Sequence, residues 1–258
     1  MGLRLANRGV NGDTKATMKV IAVIPARLAS TRLPRKMLRE IGDVPLVARV
    51  YNAVRSCSLL AEAIVATDSD EIARFCQDND ITARMTSASH RSGTERVHEI
   101  SQQTAADVYL NIQGDEPLTR VGHVTALIEL MKDTSIEVGT LKTQCGAEDV
   151  RNPNAVKVVT DSAKRALYFS RATIPHDRDG TNPTYYKHLG FYAYRKPALD
   201  RFVQWPESFL EKSERLEQLR FLENGVSIFV AETPCDTVGV DTEEDLQRVE
   251  EILKKRGG

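Results

Sequence analysis

Cysteine is scarce in this sequence and is not arranged for metal binding. The 258 residues include four widely scattered cysteines, with no CxxC motif and no cysteine and histidine cluster at zinc-ligand spacing. No apolar run approaches the roughly 18 residues of a membrane span, and residues 1–17 lack the apolar stretch of about 7 to 15 residues that a signal peptide needs. We therefore expect reduced thiols, a cytoplasmic protein without membrane insertion, and a flexible N-terminal extension over residues 1–17.

The sequence also lacks an excess of charge of either sign. It has 35 Lys and Arg against 36 Asp and Glu, a net charge of −1. Nucleic acids and anionic membranes usually require a large face of one sign, so we expect no nucleic-acid partner. The 41% hydrophobic content is that of an ordinary globular protein, and we expect one domain over residues 18–258.

Neither of the familiar phosphate-binding motifs, GxxxxGK[ST] and GxGxxG, is present. A basic loop instead follows the apolar run 19–24, and it contains Arg27, Arg32, Arg35 and Lys36. Guanidinium forks and a lysine ammonium can hold a triphosphate without a P-loop. Taken alone, such a run of charge is about as often a solvated face.

An acidic loop follows the apolar run 108–112 and contains Asp115. In open α/β sheets ligands lie beyond the carboxyl ends of strands, where carboxylates can hold a divalent metal. Asp241, after a second apolar stretch, is a candidate partner. Both have structural alternatives: Asp115 could end a strand in a turn, and Asp241 could form a helix-capping box with Glu244.

Apolar runs of strand length alternate with segments of helical period along the chain. This alternation predicts a largely parallel sheet with helices on both faces. The predicted strands are 19–24, 63–66, 83–86, 108–112, 138–142, 155–159, 166–170, 188–194 and 228–231. The predicted helices are 47–57, 72–76, 96–103, 124–131, 214–223 and 243–254.

Three further polar positions have both a structural and a functional interpretation. Ser92 with Glu95 fits a capping box, although a small residue pair at a helix start can also admit a planar base. His188 lies in an apolar strand, where a histidine is more often a hydrogen-bonded core residue than a ligand. Arg171 ends an apolar strand and requires an acidic partner or a ligand.

Nine segments, taken together and in order, resemble the 3-deoxy-manno-octulosonate cytidylyltransferase family. They are 25–36, 66–68, 92–96, 111–117, 154–159, 166–175, 188–194, 216–220 and 239–245. The resemblance extends over nearly the whole chain from Lys19 onward. It implies an α/β fold, a single-domain nucleotidyltransferase-like three-layer sandwich with a central mainly parallel sheet and a projecting segment for homodimerisation. It also implies transfer of CMP from CTP to 3-deoxy-D-manno-octulosonate (Kdo), which releases pyrophosphate and forms CMP-Kdo for lipopolysaccharide or a related polysaccharide.

The resemblance also implies a role for each matching position. The implied nucleotide-binding residues are Ala26, Arg27, Arg32, Lys36, Ser92, Gly93 and Arg96. The implied sugar-binding residues are Gln113, Arg171, His188, Tyr192, Glu217 and Gln218. Mg²⁺ is implied on Asp115 and Asp241, and these two residues, with Lys36 and Arg27, are implied to be catalytic.

One position departs from the family pattern, because the family usually has glycine where this chain has Arg35. If that position has a positive φ, arginine there is strained, and we expect an altered affinity for CTP. Two alternatives to the implied activity stay open. One is a cytidylyltransferase for a related acidic sugar, such as 8-amino-Kdo or a nonulosonic acid; the other is a nucleotide-binding protein without turnover. A glycosyltransferase is less favoured, because no DxD motif follows the central strand.

Overall fold

A computed structural model of the chain describes residues 18–28 and 32–256, and the predicted extension over residues 1–17 lies outside them. The strands are β1 (Val20–Ala26), β2 (Glu40–Ile41), β3 (Val44–Pro45), β4 (Glu62–Thr67), β5 (Ala83–Met85), β6 (Val108–Asn111), β7 (Val138–Gln144), β8 (Lys157–Thr160), β9 (Ala166–Ser170), β10 (Tyr186–Tyr194) and β11 (Ile228–Glu232). The helices are α1 (Leu46–Arg55), α2 (Asp70–Asp78), α3 (Gly93–Gln103), α4 (Val121–Leu130), α5 (Lys196–Phe202), α6 (Phe209–Glu214), α7 (Leu219–Glu223) and α8 (Glu243–Arg256), with a short 3₁₀ helix at Lys36–Leu38.

The central sheet has the strand order β11-β7-β10-β6-β1-β4-β5. Its pairs are parallel except those of β10, which runs antiparallel to β6 and β7. Strands β8 and β9 form a hairpin that joins this sheet through β10. The predicted class, an α/β protein with a mainly parallel central sheet, is confirmed.

The strand sequences explain why the sheet is covered on both faces. Every residue of β1 is buried, as expected for a central parallel strand between two helical layers. Alternate β1 side chains enter different apolar clusters: Val20, Ala22 and Ile24 pack on the face of α1 and α4, while Ile21 and Val23 pack on the face of α3, α5 and α7. A third, smaller cluster packs α8 against the start of α1.

The predicted helix over 214–223 is wrong, because the segment contains a break between α6 and α7. Arg215 has φ 55 and ψ 47, a left-handed conformation that ends α6. Helical periodicity does not reveal such a break, which here is stabilised by tertiary contacts: the Arg220 guanidinium pairs with the buried Glu211 carboxylate at 2.5 Å. The break places residues 216–218 in a connection between the two helices.

Some short elements of the fold are not visible in the sequence pattern. The hairpin of β2 and β3, helix α5 and most of α6 were not predicted, whereas the other strands and helices lie within a few residues of the predicted bounds. The four cysteines are free thiols. No helix among the described residues is long and apolar enough to cross a membrane.

Candidate active site

The loops that follow β1 and β6 meet at one edge of the sheet. Because β1 is parallel to both β4 and β6, the carboxyl ends of all three strands lie side by side. Strand β10 runs in the opposite direction, with Tyr192 paired to Asn111, so its earlier residues extend past the carboxyl end of β6. Polar residues from four chain segments therefore share this edge.

Lys36 is the centre of the site. Its Nζ donates hydrogen bonds to Asp115 Oδ2 at 2.6 Å and to Asp241 Oδ1 at 2.9 Å. The Lys36 residue is only 7% exposed. Arg32 approaches the other oxygen of Asp241, Oδ2, at 2.9 Å. The structure thus brings together the basic loop and both candidate metal-binding acids.

The charges in this cluster stabilise one another. Burial lowers the pKa of Lys36, but the charge and hydrogen bonds of Asp115 and Asp241 outweigh it, and the net pKa is raised. Burial raises the pKa of Asp241, but Lys36 and Arg32 outweigh it in turn, and the net pKa is lowered. The lysine is therefore cationic and Asp241 anionic at neutral pH.

The capping box of Asp241 with Glu244, the structural alternative for Asp241, does not form, because the box lies one residue further on. The Thr242 N–H donates to Asp245 Oδ2 at 3.0 Å, and the Asp245 N–H donates to Thr242 Oγ1 at 3.2 Å, so this pair caps α8. The start of the helix does not use the Asp241 carboxylate, which faces Lys36 instead.

Asp115 lies in a turn, as its structural interpretation requires, and the turn brings it to the site. A Cβ on Gly114 would lie 2.9 Å from the Pro25 carbonyl oxygen and 3.1 Å from Met37 Sδ, so only glycine permits this approach of the loop to β1. The Val240 N–H donates to the Asp115 carbonyl oxygen at 2.9 Å. The two acidic loops are therefore joined through their backbones.

The donor set at this point suits a hard cation. Two carboxylates converge on one nitrogen, and Mg²⁺ prefers oxygen ligands, of which one or two are usually protein carboxylates. Across residues 18–28 and 32–256, no group of three or more His, Cys, Asp or Glu side chains could hold a metal. The remaining ligands of such a cation would come from substrate and water.

Arg35 has the backbone conformation that glycine favours, with φ 56 and ψ 30. Its guanidinium pairs with Glu71 in the first turn of α2, and both side chains are substantially exposed. The condition set by the sequence analysis, a positive φ at this position, is met. Arg27, at the end of β1, is exposed, whereas the neighbouring Ala26 is buried.

The start of α3 lies against the same edge. Ser92 Oγ accepts from the Glu95 N–H at 3.2 Å and caps the helix, but the Glu95 carboxylate accepts from the Arg91 N–H at 2.7 Å, so the predicted box is only half formed. A Cβ on Gly93 would lie 3.3 Å from Asn111 Nδ2.

Arg96, implied to lie near the nucleotide, has protein partners in this structure. It is fully buried, and its guanidinium donates to Thr86 Oγ1 at 2.6 Å and pairs with Asp68. Its Nε has no hydrogen-bond partner. This pair joins the loop after β4 to α3, and a contact of Arg96 with nucleotide stays a prediction.

His188 and Tyr192 belong to a row of aromatic rings along β10. The His188 ring lies 4.9 Å from that of Phe169 and 5.4 Å from that of Tyr192, measured between centroids. Desolvation lowers the pKa of His188 to about 3. Thr140 Oγ1 donates to the Phe191 carbonyl oxygen at 2.7 Å, so it accepts from His188 Nε2 at 3.0 Å. The neutral imidazole then carries its proton on Nε2.

Of the two partners expected for the Arg171 guanidinium, an acid or a ligand, the described residues supply no carboxylate, and backbone carbonyls bind it instead. Its Nε donates to the Glu214 carbonyl oxygen at 2.8 Å, and its other nitrogens donate to the Pro153 and Arg215 carbonyl oxygens at 3.1 and 3.4 Å. The physical reason is that Glu214 ends α6, where unpaired carbonyls and the helix dipole attract a cation.

A polar network that the sequence analysis missed connects the two ends of the site. Thr94 Oγ1 donates to Glu217 Oε1 at 2.8 Å, and it accepts from the Tyr194 hydroxyl at 3.2 Å. The side chain of Asn111 lies beside Tyr194. A polar residue ending the buried run of β6 was the signal that could have identified Asn111.

Several polar atoms at this edge have no hydrogen-bond partner within residues 18–28 and 32–256. Among the buried side-chain atoms without a hydrogen bond are Glu217 Oε2, Gln218 Nε2 and Asn111 Nδ2. Burial raises the pKa of Glu217 in spite of hydrogen bonds from Ser92 and Thr94. An unsatisfied buried polar group costs about 1–3 kcal/mol, and in a functional site such a group can be satisfied by a ligand.

The chain belongs to a family of nucleotide-handling enzymes, since a model of the cytidylyltransferase family matches residues 21–228. A relative from Koribacter versatilis, a 3-deoxy-manno-octulosonate cytidylyltransferase, is 67% identical over 241 residues, 93% of this chain and 92% of its own length. A relative of the same name from Acidobacterium capsulatum is 52% identical over 242 residues, 93% of this chain and 99% of its own length.

A solved structure supports the same relationship. The CMP:2-keto-3-deoxy-manno-octonic acid synthetase complexed with CTP superposes with a TM-score of 0.88 at 39% identity, over 92% of this chain and 99% of that one. The chain belongs to the 3-deoxy-manno-octulosonate cytidylyltransferase family.

The close approach at Gly114 predicts a large cost for added side-chain volume. Gly114→Ala should lower the free energy of unfolding by about 1–3 kcal/mol, since the Pro25 carbonyl oxygen cannot rotate away. Gly122→Ala is the matched control, because that glycine lies in α4 with no atom within 4 Å of an added Cβ; it should be neutral or stabilising by up to about 1 kcal/mol. Urea denaturation measures both, and equal effects would contradict the prediction.

The left-handed backbone of Arg35 predicts different effects for two substitutions that remove the same side chain. Arg35→Gly and Arg35→Ala both lose the exposed pair with Glu71, which contributes about 0–1 kcal/mol. Only alanine keeps the strain of a Cβ in this conformation, which costs about 1–2 kcal/mol. Arg35→Gly should therefore be the more stable variant by about 1 kcal/mol in urea denaturation. The strain argument fails if the alanine variant is equally stable.

The lowered pKa of His188 predicts a loss of stability in acid. The unfolded chain takes up a proton at this histidine near pH 6.5, whereas the folded protein does so only near pH 3, so the stability due to neutral His188 is fully present above pH 6.5 and declines below it. Between pH 7 and 5 the wild type should lose about 1–2 kcal/mol more than His188→Gln. His176→Gln, at an exposed position, should follow the wild type, and parallel curves for all three proteins would refute the prediction.

Proposed function

We propose that this protein transfers CMP from CTP to Kdo, releasing pyrophosphate and forming CMP-Kdo. The observation that carries the proposal is the meeting of Lys36, Asp115 and Asp241 at the carboxyl edge of the sheet, in a chain that is 67% identical to a relative of that name. The product would supply lipopolysaccharide or a related polysaccharide.

The nucleotide occupies the part of the site formed by the loop after β1 and the start of α3. Arg27, Arg32 and Lys36 supply positive charge for the triphosphate, which the exposure of Arg27 and the position of Arg32 beside Asp241 support. Ser92 and Gly93 present the backbone of a helix start to the base and ribose. Because Gly93 has no Cβ, the backbone there is open to this approach.

Asp115 and Asp241 are proposed to hold Mg²⁺. Their support is the oxygen donor set and the convergence of both carboxylates on one cationic nitrogen. When bound there, Mg²⁺ would neutralise phosphate charge and lower the pKa of the attacking hydroxyl. Lys36 is the counter-charge that lets the two acids lie close together, and its ammonium is also placed to bind phosphate.

The acidic sugar is proposed to occupy the part of the site between β10 and the connection from α6 to α7. Arg171 supplies a cation for the sugar carboxylate, and its weakest hydrogen bond, 3.4 Å to the Arg215 carbonyl oxygen, is the one most readily exchanged. Neutral His188, with its proton on Nε2, offers Nδ1 as an acceptor for a hydroxyl. Glu217 Oε2 and Gln218 Nε2 have no hydrogen-bond partner among the described residues, so they can accept from and donate to further hydroxyls of the sugar. Gln113 and Tyr192 complete this region.

The reaction requires that two anions approach each other. The anomeric hydroxyl of Kdo attacks the α-phosphorus of CTP in line with the departing pyrophosphate, and Arg27, Arg32 and Lys36 offset the repulsion and the developing negative charge. No protein nucleophile is needed. The site acts by orientation and electrostatic stabilisation.

We also propose a homodimer in the cytoplasm, where CTP is available. The hairpin of β8 and β9 would contribute to the interface, because β9 pairs along its length with β8 alone among the described strands. Leu167 on this edge strand is 62% exposed.

The test is pyrophosphate release from CTP with Kdo, with and without EDTA, and in parallel with 8-amino-Kdo and N-acetylneuraminate. We expect metal-dependent release with Kdo and a product with the mass of CMP-Kdo. Asp115→Asn should reduce kcat roughly 100-fold without loss of the folded state by circular dichroism, whereas Asp133→Asn, at an exposed turn, should not.

The other outcomes separate the alternatives. Turnover of another sugar but not of Kdo would retain the nucleotide half of the proposal and overturn the sugar half. A folded protein that binds CTP and turns over none of the three sugars would overturn the catalytic proposal. Full activity in EDTA would overturn the metal assignment.

A further inference from the structure

Asp241 is carried by a segment without regular secondary structure, residues 233–241 between β11 and α8, which we call the Asp241 arm. Asp241 itself is tied to the first turn of α8, where its N–H donates to Asp245 Oδ2 at 3.1 Å, but residues 233–240 belong to no helix or strand that would fix their path. The geometry at Lys36 therefore depends on the contacts that hold the arm to the rest of the protein.

Two backbone hydrogen bonds hold the ends of the arm. The Thr233 N–H donates to the Lys142 carbonyl oxygen, and the Val240 N–H donates to the Asp115 carbonyl oxygen, each at 2.9 Å. Side chains hold the middle. Thr237 Oγ1 donates to Glu116 Oε2 at 2.6 Å, and His123 Nε2 lies 3.0 Å from the Cys235 carbonyl oxygen.

Lys187 makes the strongest set of contacts to the middle of the arm. Its Nζ lies 2.7 Å from Asp236 Oδ1 and donates to the Thr237 carbonyl oxygen at 3.2 Å. A further bond, 3.0 Å to Asp149 Oδ2, reaches the segment after β7. Lys187 is 8% exposed, so this ammonium has little contact with water and its three donors are matched by protein acceptors.

The position of Lys187 in β10 connects the arm to the sugar-binding region. Successive residues of a strand point to opposite faces, and the residue after Lys187 is His188. The His188 ring contacts Phe169 and Tyr192, while the Lys187 ammonium contacts the arm. One rigid strand thus carries a proposed sugar ligand on one face and the anchor of the arm on the other.

We infer that Lys187 is a positioning residue for the metal-binding carboxylate, because it fixes Asp236 and Thr237 so that Asp241 faces Asp115. The inference rests on the proposed function. Lys187 lies in β10, whereas both acids lie in connections between elements, and its ammonium bonds Asp236, Thr237 and Asp149 rather than their carboxylates, so it acts through the arm. Removing a residue that orients a metal ligand typically costs 10–100-fold in metal affinity or activity.

The experiment compares Lys187→Met with Lys157→Met. Lys157 is also a buried lysine, but its Nζ donates to the Asn152 and Ala155 carbonyl oxygens and has no bond to the arm. Lys187→Arg tests rescue by a conservative change. Asp236→Asn weakens the contact of Lys187 with the arm and keeps its contact with Asp149. Asp149→Asn weakens the contact with Asp149 and keeps the contact with the arm.

Two measurements are made on each variant. The first is amide hydrogen exchange of the peptide covering residues 233–241 in the metal-free protein, which needs no substrate. We expect exchange at least about 10-fold faster in Lys187→Met, in part restored in Lys187→Arg, and unchanged in Lys157→Met.

The second measurement is the rate of turnover of CTP and Kdo as a function of the free Mg²⁺ concentration. The Mg²⁺ concentration that gives half the maximal rate should rise about 10-fold in Lys187→Met. At saturating Mg²⁺, kcat should be largely recovered.

Unchanged exchange and unchanged Mg²⁺ dependence in Lys187→Met would overturn the inference. It would also be overturned if Asp149→Asn reproduced both effects and Asp236→Asn neither, because Lys187 would then act through the segment after β7. If Lys187→Met does not fold, Asp236→Asn decides, since Asp236 is half-exposed. A wild type without turnover of any sugar would refute the proposed function, whereas the exchange measurement would still judge the role of Lys187.

Discussion

The ammonium of Lys36, held between Asp115 and Asp241, is the interaction on which the site depends. A buried cation is tolerated only where it is paired and hydrogen-bonded, and two neighbouring carboxylates repel unless a cation lies between them. The three groups therefore require one another. They come from positions 79 and 205 residues apart from Lys36 in the chain, so the pairing can form only when β1, β6 and the Asp241 arm have all taken their places.

The direction of the strands determines which groups can meet there. Because β1, β4 and β6 are parallel, the basic loop, Asp68 and the acidic loop all lie at one edge. The antiparallel strand β10 then enters the sheet from that same edge, so that its first residues, Lys187 and His188, lie beyond β6. In a wholly parallel sheet, only the carboxyl ends of strands would lie at this edge. Because β10 is reversed, the residues near its amino end lie there too.

The sequence predicted the elements whose structure is determined mainly by residues close together in the chain. The buried run of β1 and the amphipathic period of α1 are visible in the sequence because the spacing of apolar residues indicates which of them are buried. The break at Arg215 was not visible, since a left-handed residue there depends on the buried pair of Arg220 with Glu211. The sequence left two roles open for Asp241, because Asp241 and Thr242 are both good capping residues; in the structure Thr242 caps α8 and the Asp241 carboxylate binds Lys36 and Arg32. The role of Lys187 could not be predicted at all, because its partners lie 38 and 49 residues away.

Several departures from ordinary local preferences lie at the carboxyl edge of the sheet. Arg35 has a left-handed backbone, Lys36 is a buried lysine, and Glu217, Gln218 and Asn111 each keep a buried polar atom without a partner among the described residues. Each feature costs stability where it stands, and packing of the apolar clusters on both faces of the sheet must offset that cost. Proteins keep such costs mainly where function requires them.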